Sequence, residues 1–251
     1  MNSSAAAPFA TTRWTQVLAA QGGSEHARVA LSELCSAYYG PVVAFLEHTG
    51  CAPEEPREVA HEFFAGLLAR DGLAGADRQS GRFRSYLLGA LKHFVANRRR
   101  RASRRKHGGQ AEHLPMELGT DTGFEVPTPT EAPNLDALFD HEWAVTVVEG
   151  ALAALAHESI AAGQDRQFLV LKPWLSFAAE PGSQASAAAE LGVNEGAVKV
   201  AIHRLRRRFR ELVRAEIAQT LPAEGDVRAE LRHLVEALAE SPVVPEWDPN
   251  R

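Results

Sequence analysis

Apolar residues recur along this chain at three- and four-residue intervals, and that spacing predicts helices through most of its length. Thr12 is placed to cap a short helix in which Trp14, Val17 and Leu18 share one face. A second helix is expected over about 24–39, with Val29, Leu31, Leu34 and Tyr38 available for burial, before Gly40-Pro41 breaks or kinks it. Pro56 suits the first turn of a helix whose Val59, Phe63, Phe64 and Leu67 form an apolar stripe. A glycine-broken loop follows, DGLAGADRQSG, and then a long helix over about 82–106. Residues 108–133, with paired glycines, several prolines and clustered threonines, predict a flexible acidic linker. Asn134 can cap the next helix, running to about residue 156, with another over about 167–177. Past residue 224, Val227, Leu231, Leu234 and Leu238 fall on one stripe of a last amphipathic helix, followed by a Pro-rich tail.

The segment 183–214 carries the most information. A short helix bearing Ala188 and Leu191 meets a turn at Gly192-Val193-Asn194, and a second helix opens at Glu195. Ala188 lets the second helix cross closely, Gly192 supplies a left-handed or tight turn, and Val198 fills the angle between the helices. This is the spacing a helix-turn-helix needs, and it leaves the second helix free to enter a DNA major groove. The plainer reading is an alanine-rich hairpin with a solvated basic face.

Charge distribution strengthens the DNA reading. The net charge is only −5, but residues 78–107 hold eleven Lys or Arg and no acid, whereas 111–142 hold eight acids and no Lys or Arg. A second basic block, 199–214, has seven Lys or Arg with Glu211 as its only acid. The two blocks together hold 18 of the 27 basic residues. Solvated helical faces normally mix both signs, so one-signed blocks point to a polyanion, and each phosphate neutralised releases counterions. Two separate DNA contacts are implied.

Composition adds limits. Alanine and leucine dominate and aromatic residues are few, which favours an all-helical protein. Cys35 and Cys51 lack metal-ligand spacing, and so sparse a pair suggests a reduced, cytoplasmic setting. No apolar run approaches membrane-spanning length, and the N-terminus lacks the pattern of a secretory signal, so a soluble protein without membrane contact is expected.

The order of helical domain, basic helix, linker and helix-turn-helix resembles the extracytoplasmic function (ECF) sigma factors of bacterial RNA polymerase. YYGPVVAFLEHTG resembles the opening of their domain two, and EVAHEFFAGLLAR its polymerase-binding helix. GRFRSYLLGALKHFVANRRRRASRRKHGG is similar to the promoter-melting and −10-reading segment, and LGVNEGAVKVAIHRLRRRFRELVR to the recognition end of domain four. The resemblance covers roughly residues 12–220.

The resemblance implies roles position by position. Glu58, His61 and Glu62 would be the exposed positions docking on core polymerase, with Val59, Phe63 and Phe64 facing the core; the family usually has Asp and Gln where Glu58 and His61 stand. The opened −10 element would be held by Arg78, Gln79, Ser80, Arg82 and Arg84, with Phe83 and Tyr86 interleaved, although helical spacing makes at least one of these rings core. His93 and Asn97 align with DNA-facing positions, and Arg98, Arg101 and Arg104 continue that face. In the second block, a buried stripe of Val198, Ile202, Leu205 and Phe209 leaves Glu195, Lys199, Val200, His203, Arg204 and Arg207 for the −35 element. Lys199, His203 and Arg204 are the best placed to read base edges, and Val200 can offer only an apolar contact. Arg206, Arg208 and Arg210 are expected on phosphates.

Other apparent chemistry fails on spacing. His61-Glu62 and His157-Glu158 lack the second histidine of a zinc motif, and no nucleophile and base stand at a diagnostic spacing. The expected architecture is therefore all-α, with two helical domains joined by a flexible linker and a helix-turn-helix in the second. Residues 1–107 would form domain two, 108–133 the linker, 134–220 domain four, and 221–251 a C-terminal helix and tail. The expected function is an ECF-type sigma factor, not an enzyme and without cofactor or metal. Its partners would be core RNA polymerase and promoter DNA, with room for an anti-sigma factor. The main alternative is a helix-turn-helix regulator acting on duplex DNA without polymerase; a metal-dependent hydrolase is a third class, opposed by the missing ligand spacings. The C-terminal helix either packs back on domain four or regulates access to promoter or polymerase.

Overall fold

The computed structural model describes residues 25–49, 55–69, 82–106, 134–175, 183–222 and 225–240. Among the described residues every regular element is helical, with nine α-helices, one 3-10 helix and no strand. The helix expected after Thr12, the loop containing Arg78, Gln79 and Ser80, Cys51 and the 108–133 segment lie outside the described residues, as does the side chain of Arg104. Contacts group the chain into two compact units, 1–146 with 218–251, and 147–217. The division falls inside two continuous helices, where the sequence suggests boundaries near 133 and 220.

In the first unit, α1 (Glu25–Ala37) and α2 (Tyr39–Glu47) meet at a 48° bend. The break is at Tyr38, with Gly40 and Pro41 already inside the first turn of α2. Pro41 is tolerated there because the first amides of a helix have no intrahelical acceptor to lose. α3 (Pro56–Leu68) starts on its proline as expected and buries Val59, Ala60, Phe63, Phe64 and Leu67. α4 (Phe83–Lys106) buries Phe83, Leu87, Ala90, Leu91 and Val95. α5 (Leu135–Ala161) starts on Asn134, whose Oδ1 accepts from the amides of Asp136 and Ala137 at 3.2 and 3.3 Å. Its Phe139 and Trp143 complete a core in which Tyr38 stands edge-on to Phe83 at 5.1 Å. Val29, expected inside, is 50% exposed.

The C-terminal helix α9 (Val227–Ala239) belongs to this first unit. Asp226 caps it, accepting from the amides of Arg228 and Ala229 at 2.9 and 3.1 Å. Its buried residues are Glu230, Leu234 and Ala237, so the helix sits rotated from the expected stripe, with Val227, Leu231 and Leu238 only half-buried.

In the second unit the end of α5 turns at Gly163, with φ of 68°, into α6 (Asp165–Leu171) and a 3-10 turn, Lys172–Leu175. α7 (Ser183–Leu191) and α8 (Glu195–Gln219) follow. One apolar cluster joins them: Leu171, Trp174, Ala187, Ala188, Val198 and Ile202.

One expectation is corrected by length and composition. α5 is long and apolar enough to cross a membrane, as is the bent pair of α1 and α2 if taken as one span. α5 buries Leu138, Phe139, Trp143, Ala144, Ala151 and Leu155, and its acids Asp136 and Asp140 are each paired with a cation.

Candidate nucleic-acid interface

The turn between α7 and α8 is built from backbone hydrogen bonds. The Val193 amide donates to the Ala188 carbonyl at 3.0 Å and the Gly192 amide to the Ala189 carbonyl at 3.3 Å. This pairing requires a left-handed residue just past the helix, and Gly192 supplies it with φ of 67°. Asn194 then caps α8 by accepting from the Ala197 amide at 2.8 Å. A Cβ on Gly196 would lie 3.2 Å from the Asn194 Oδ1, so a glycine there leaves the cap undisturbed. The sequence marks Asn194 as a turn residue only; its place one residue before an acidic first turn is the signal for a cap.

Val198 is fully buried and Ile202 5% exposed, against Ala187 and Ala188, which orients the rest of α8. Glu195, Lys199, Val200, His203, Arg204 and Arg207 are all exposed. At 3.6 residues per turn, Lys199, His203, Arg207, Arg210 and Arg214 lie on the side away from Val198 and Ile202. Arg207 pairs with Glu211 at 3.0 Å. Arg206 and Arg208, expected on phosphates, are exposed and already hold partners within the protein: Arg206 Nε donates to the Trp174 carbonyl at 2.8 Å, and Arg208 grips Glu158 at 2.6 Å and Glu211 at 3.2 Å. The hydrogen bond from Arg208 holds the Glu158 carboxyl below its usual range, and those from Arg207 and then Arg208 do the same to Glu211. Arg210, also expected on phosphate, stays exposed on the open side.

On α4 the expected residues divide. Phe83 is fully buried, so its ring cannot stack on a base, which corrects its assignment to the −10 element. Tyr86 is half-buried with its ring 6.5 Å from that of Phe83, and it is the ring with surface left to offer. Arg84 is already engaged within the protein: it is buried, donates from Nε to Glu230 at 3.1 Å and from Nη1 to Asp140, and lies 5.0 Å from the Trp143 ring. Arg82 is half-buried and 2.7 Å from Glu230. Further along, His93 is exposed, with its Nδ1 3.2 Å from Asn97 Nδ2, and Arg101 is exposed. Arg98 is paired with Glu62 at 2.8 Å and reaches Glu55 at 3.8 Å.

On α3, Glu58, His61 and Glu62 are exposed beside the buried Val59, Phe63 and Phe64. The Tyr39 hydroxyl and His61 Nε2 share a hydrogen bond at 3.2 Å, with the rings stacked at 5.5 Å. The α3 face expected on protein and the α4 face expected on DNA thus meet at Glu62 and Arg98.

Sequence reasoning missed Glu230, Asp140 and Glu158 as partners of the arginines. For Glu230 a signal exists, because it falls four and seven residues before Leu234 and Ala237 on one helical face. Among the described residues no group of three or more His, Cys, Asp or Glu side chains is placed to hold a metal. The chain matches no family model, no curated protein and no solved structure.

Proposed function

We propose that this chain is an ECF-type sigma factor, which binds core RNA polymerase and directs it to a two-part promoter. In this reading α7, the Gly192 turn and α8 form a helix-turn-helix in a second helical domain linked through 108–133 to the first, and α8 enters the −35 major groove. α3 docks on the polymerase through Glu58, His61 and Glu62, and the exposed side of α4, with Tyr86, His93, Asn97 and Arg101, takes the opened −10 strand. The protein acts in the cytoplasm by binding alone, with no cofactor and no catalytic step.

The observation that carries the reading is the division of α8. Of its expected stripe Val198 and Ile202 are buried against Ala187 and Ala188 while Leu205 and Phe209 are half-buried, and all six residues expected to face DNA are exposed. A capped helix offering cations on its open side is what major-groove entry needs. The exposed Glu58, His61 and Glu62 on a separate helix supply a second surface, which a simple operator-binding protein does not require.

A plain helix-turn-helix regulator is the second reading. Burial of Phe83 and engagement of Arg84 by two carboxylates favour it, since both reduce what α4 offers to melted DNA. Tagged chain mixed with core polymerase decides between them. Co-purification with the core subunits and promoter-directed transcription support the sigma reading, and duplex binding without either supports the regulator.

A further inference from the structure

The basic block 78–107 contains no acid of its own, yet two of its arginines end on carboxylates delivered from far along the chain. Glu230 of α9 is fully buried, with Oε1 3.1 Å from Arg84 Nε and Oε2 2.7 Å from Arg82 Nη1. Asp140 receives Arg84 Nη1 and holds His233 of α9 at 2.9 Å. His141 Nδ1 lies 3.0 Å from the Ala237 carbonyl. The Phe83 amide, at the start of α4, donates to the Thr220 carbonyl at 3.0 Å on the approach to α9.

This junction is polar for a helix whose only fully buried apolar residues are Leu234 and Ala237. Tyr38 Oη and Trp143 Nε1 are buried beside it, and Arg82 reaches Glu230 Oε2 by charge and distance, outside hydrogen-bond geometry. Buried ion pairs add little net stability over apolar packing, and incompletely satisfied networks subtract from it. Such an attachment favours reversible docking over permanent cohesion. One carboxylate held by two arginines is also the arrangement in which those arginines would hold a phosphate.

We propose that α9 is an intramolecular clasp: Glu230 occupies the place of a nucleic-acid phosphate on Arg82 and Arg84, and docking of α9 and binding of nucleic acid at the start of α4 exclude one another. The proposal rests on the reading of α4 as a nucleic-acid-facing helix and gives that reading its regulation.

The test uses the full chain and a fluorescent single-stranded 20-mer, with Glu230→Gln as the variant that keeps shape and loses charge. Affinity should rise by a factor of about 5–150, the usual range of coupling between two sites. The slope of log affinity against log salt should steepen by up to about 1.4, for two phosphates on a single strand. Adding Arg82→Ala should remove most of the gain. A folded Glu230→Gln chain with unchanged affinity and slope overturns the proposal, as does a gain that survives Arg82→Ala or a failure of both chains to bind. Should Glu230→Gln not fold, hydrogen exchange on the unaltered chain decides. Loss of protection over 227–239 on saturation with the 20-mer supports the clasp, and unchanged protection overturns it. Co-purification with core polymerase is scored separately: a chain that shows the clasp but never binds core loses the sigma reading alone, and one that programmes core while Glu230→Gln changes nothing loses the clasp alone.

Discussion

Arg208 lays its guanidinium along both oxygens of Glu158, with Nη2 2.6 Å from Oε1 and Nε 2.8 Å from Oε2. An arginine that charge pattern assigns to a phosphate is therefore already engaged within the protein. Under the proposed function, Arg208→Ala should weaken duplex binding less than Arg210→Ala, whose side chain is exposed on the open side of α8. Glu158→Gln should loosen Arg208, raising affinity for all sequences alike and steepening the salt slope by about 0.9, one B-DNA phosphate. Anisotropy titrations at several salt concentrations measure both, and equal losses from the two arginine variants would show that Arg208 exchanges Glu158 for DNA at no cost.

Arg204 is exposed on α8 and makes a different prediction. If it forms a bidentate contact with a base, Arg204→Ala should cost about 1–3 kcal/mol of discrimination at one base pair, with other positions unaffected. Binding to a panel of singly substituted −35 sites tests this. A uniform loss across the panel would place Arg204 on the backbone.

Docking on core polymerase should depend on the open face of α3. Glu58→Arg is the cleaner charge reversal, because Glu62→Arg would also set a cation beside Arg98 and break the 2.8 Å pair. Glu58→Arg should abolish co-purification with core while helicity and thermal midpoint stay unchanged. Normal transcription by core mixed with this variant would remove α3 from the docking surface.

Phe83 and Tyr86 should separate cleanly by mutation. Phe83→Ala empties a fully buried site and should destabilise the fold by about 3–5 kcal/mol, read by urea denaturation. Tyr86→Ala should instead impair open-complex formation more than duplex binding, since stacking on a base contributes about 1–3 kcal/mol only after strands separate. A template with its −10 bubble already open should restore most of that loss in permanganate footprinting. Equal loss on both templates with stability intact would end the melting role of this ring.

Burial pushes the Cys35 thiol from 9.0 up to about 12. The folded state favours the protonated thiol, so this contribution to stability is whole below the unfolded thiol range and is lost as pH rises from about 9 to about 12. Urea midpoints of the chain and of Cys35→Ala, compared from pH 8 to 11, should converge as pH rises. A constant difference across that range would mean the thiol titrates without penalty. In the native state Cys35 should also resist alkylation at pH 8, because only the thiolate reacts.

Helical periodicity and cap chemistry are local, and they were legible in the sequence. Pro56, Asn134, Gly192 and the stripes of α3 and α8 act through backbone geometry within a few residues, so the sequence by itself determined an all-helical chain and the buried and open sides of α8. The same reasoning could not choose between Phe83 and Tyr86, which lie three residues apart on adjoining sides of one helix; packing against Tyr38 decided it. Nor could it foresee which arginines would be free. A guanidinium reaches several ångströms and takes whichever carboxylate the fold delivers: Glu158 to Arg208 from 50 residues away, and Glu230 to Arg84 from 146. One-signed blocks report a charge pattern along the chain, whereas neutralisation depends on distances in space, and only the tertiary structure sets those.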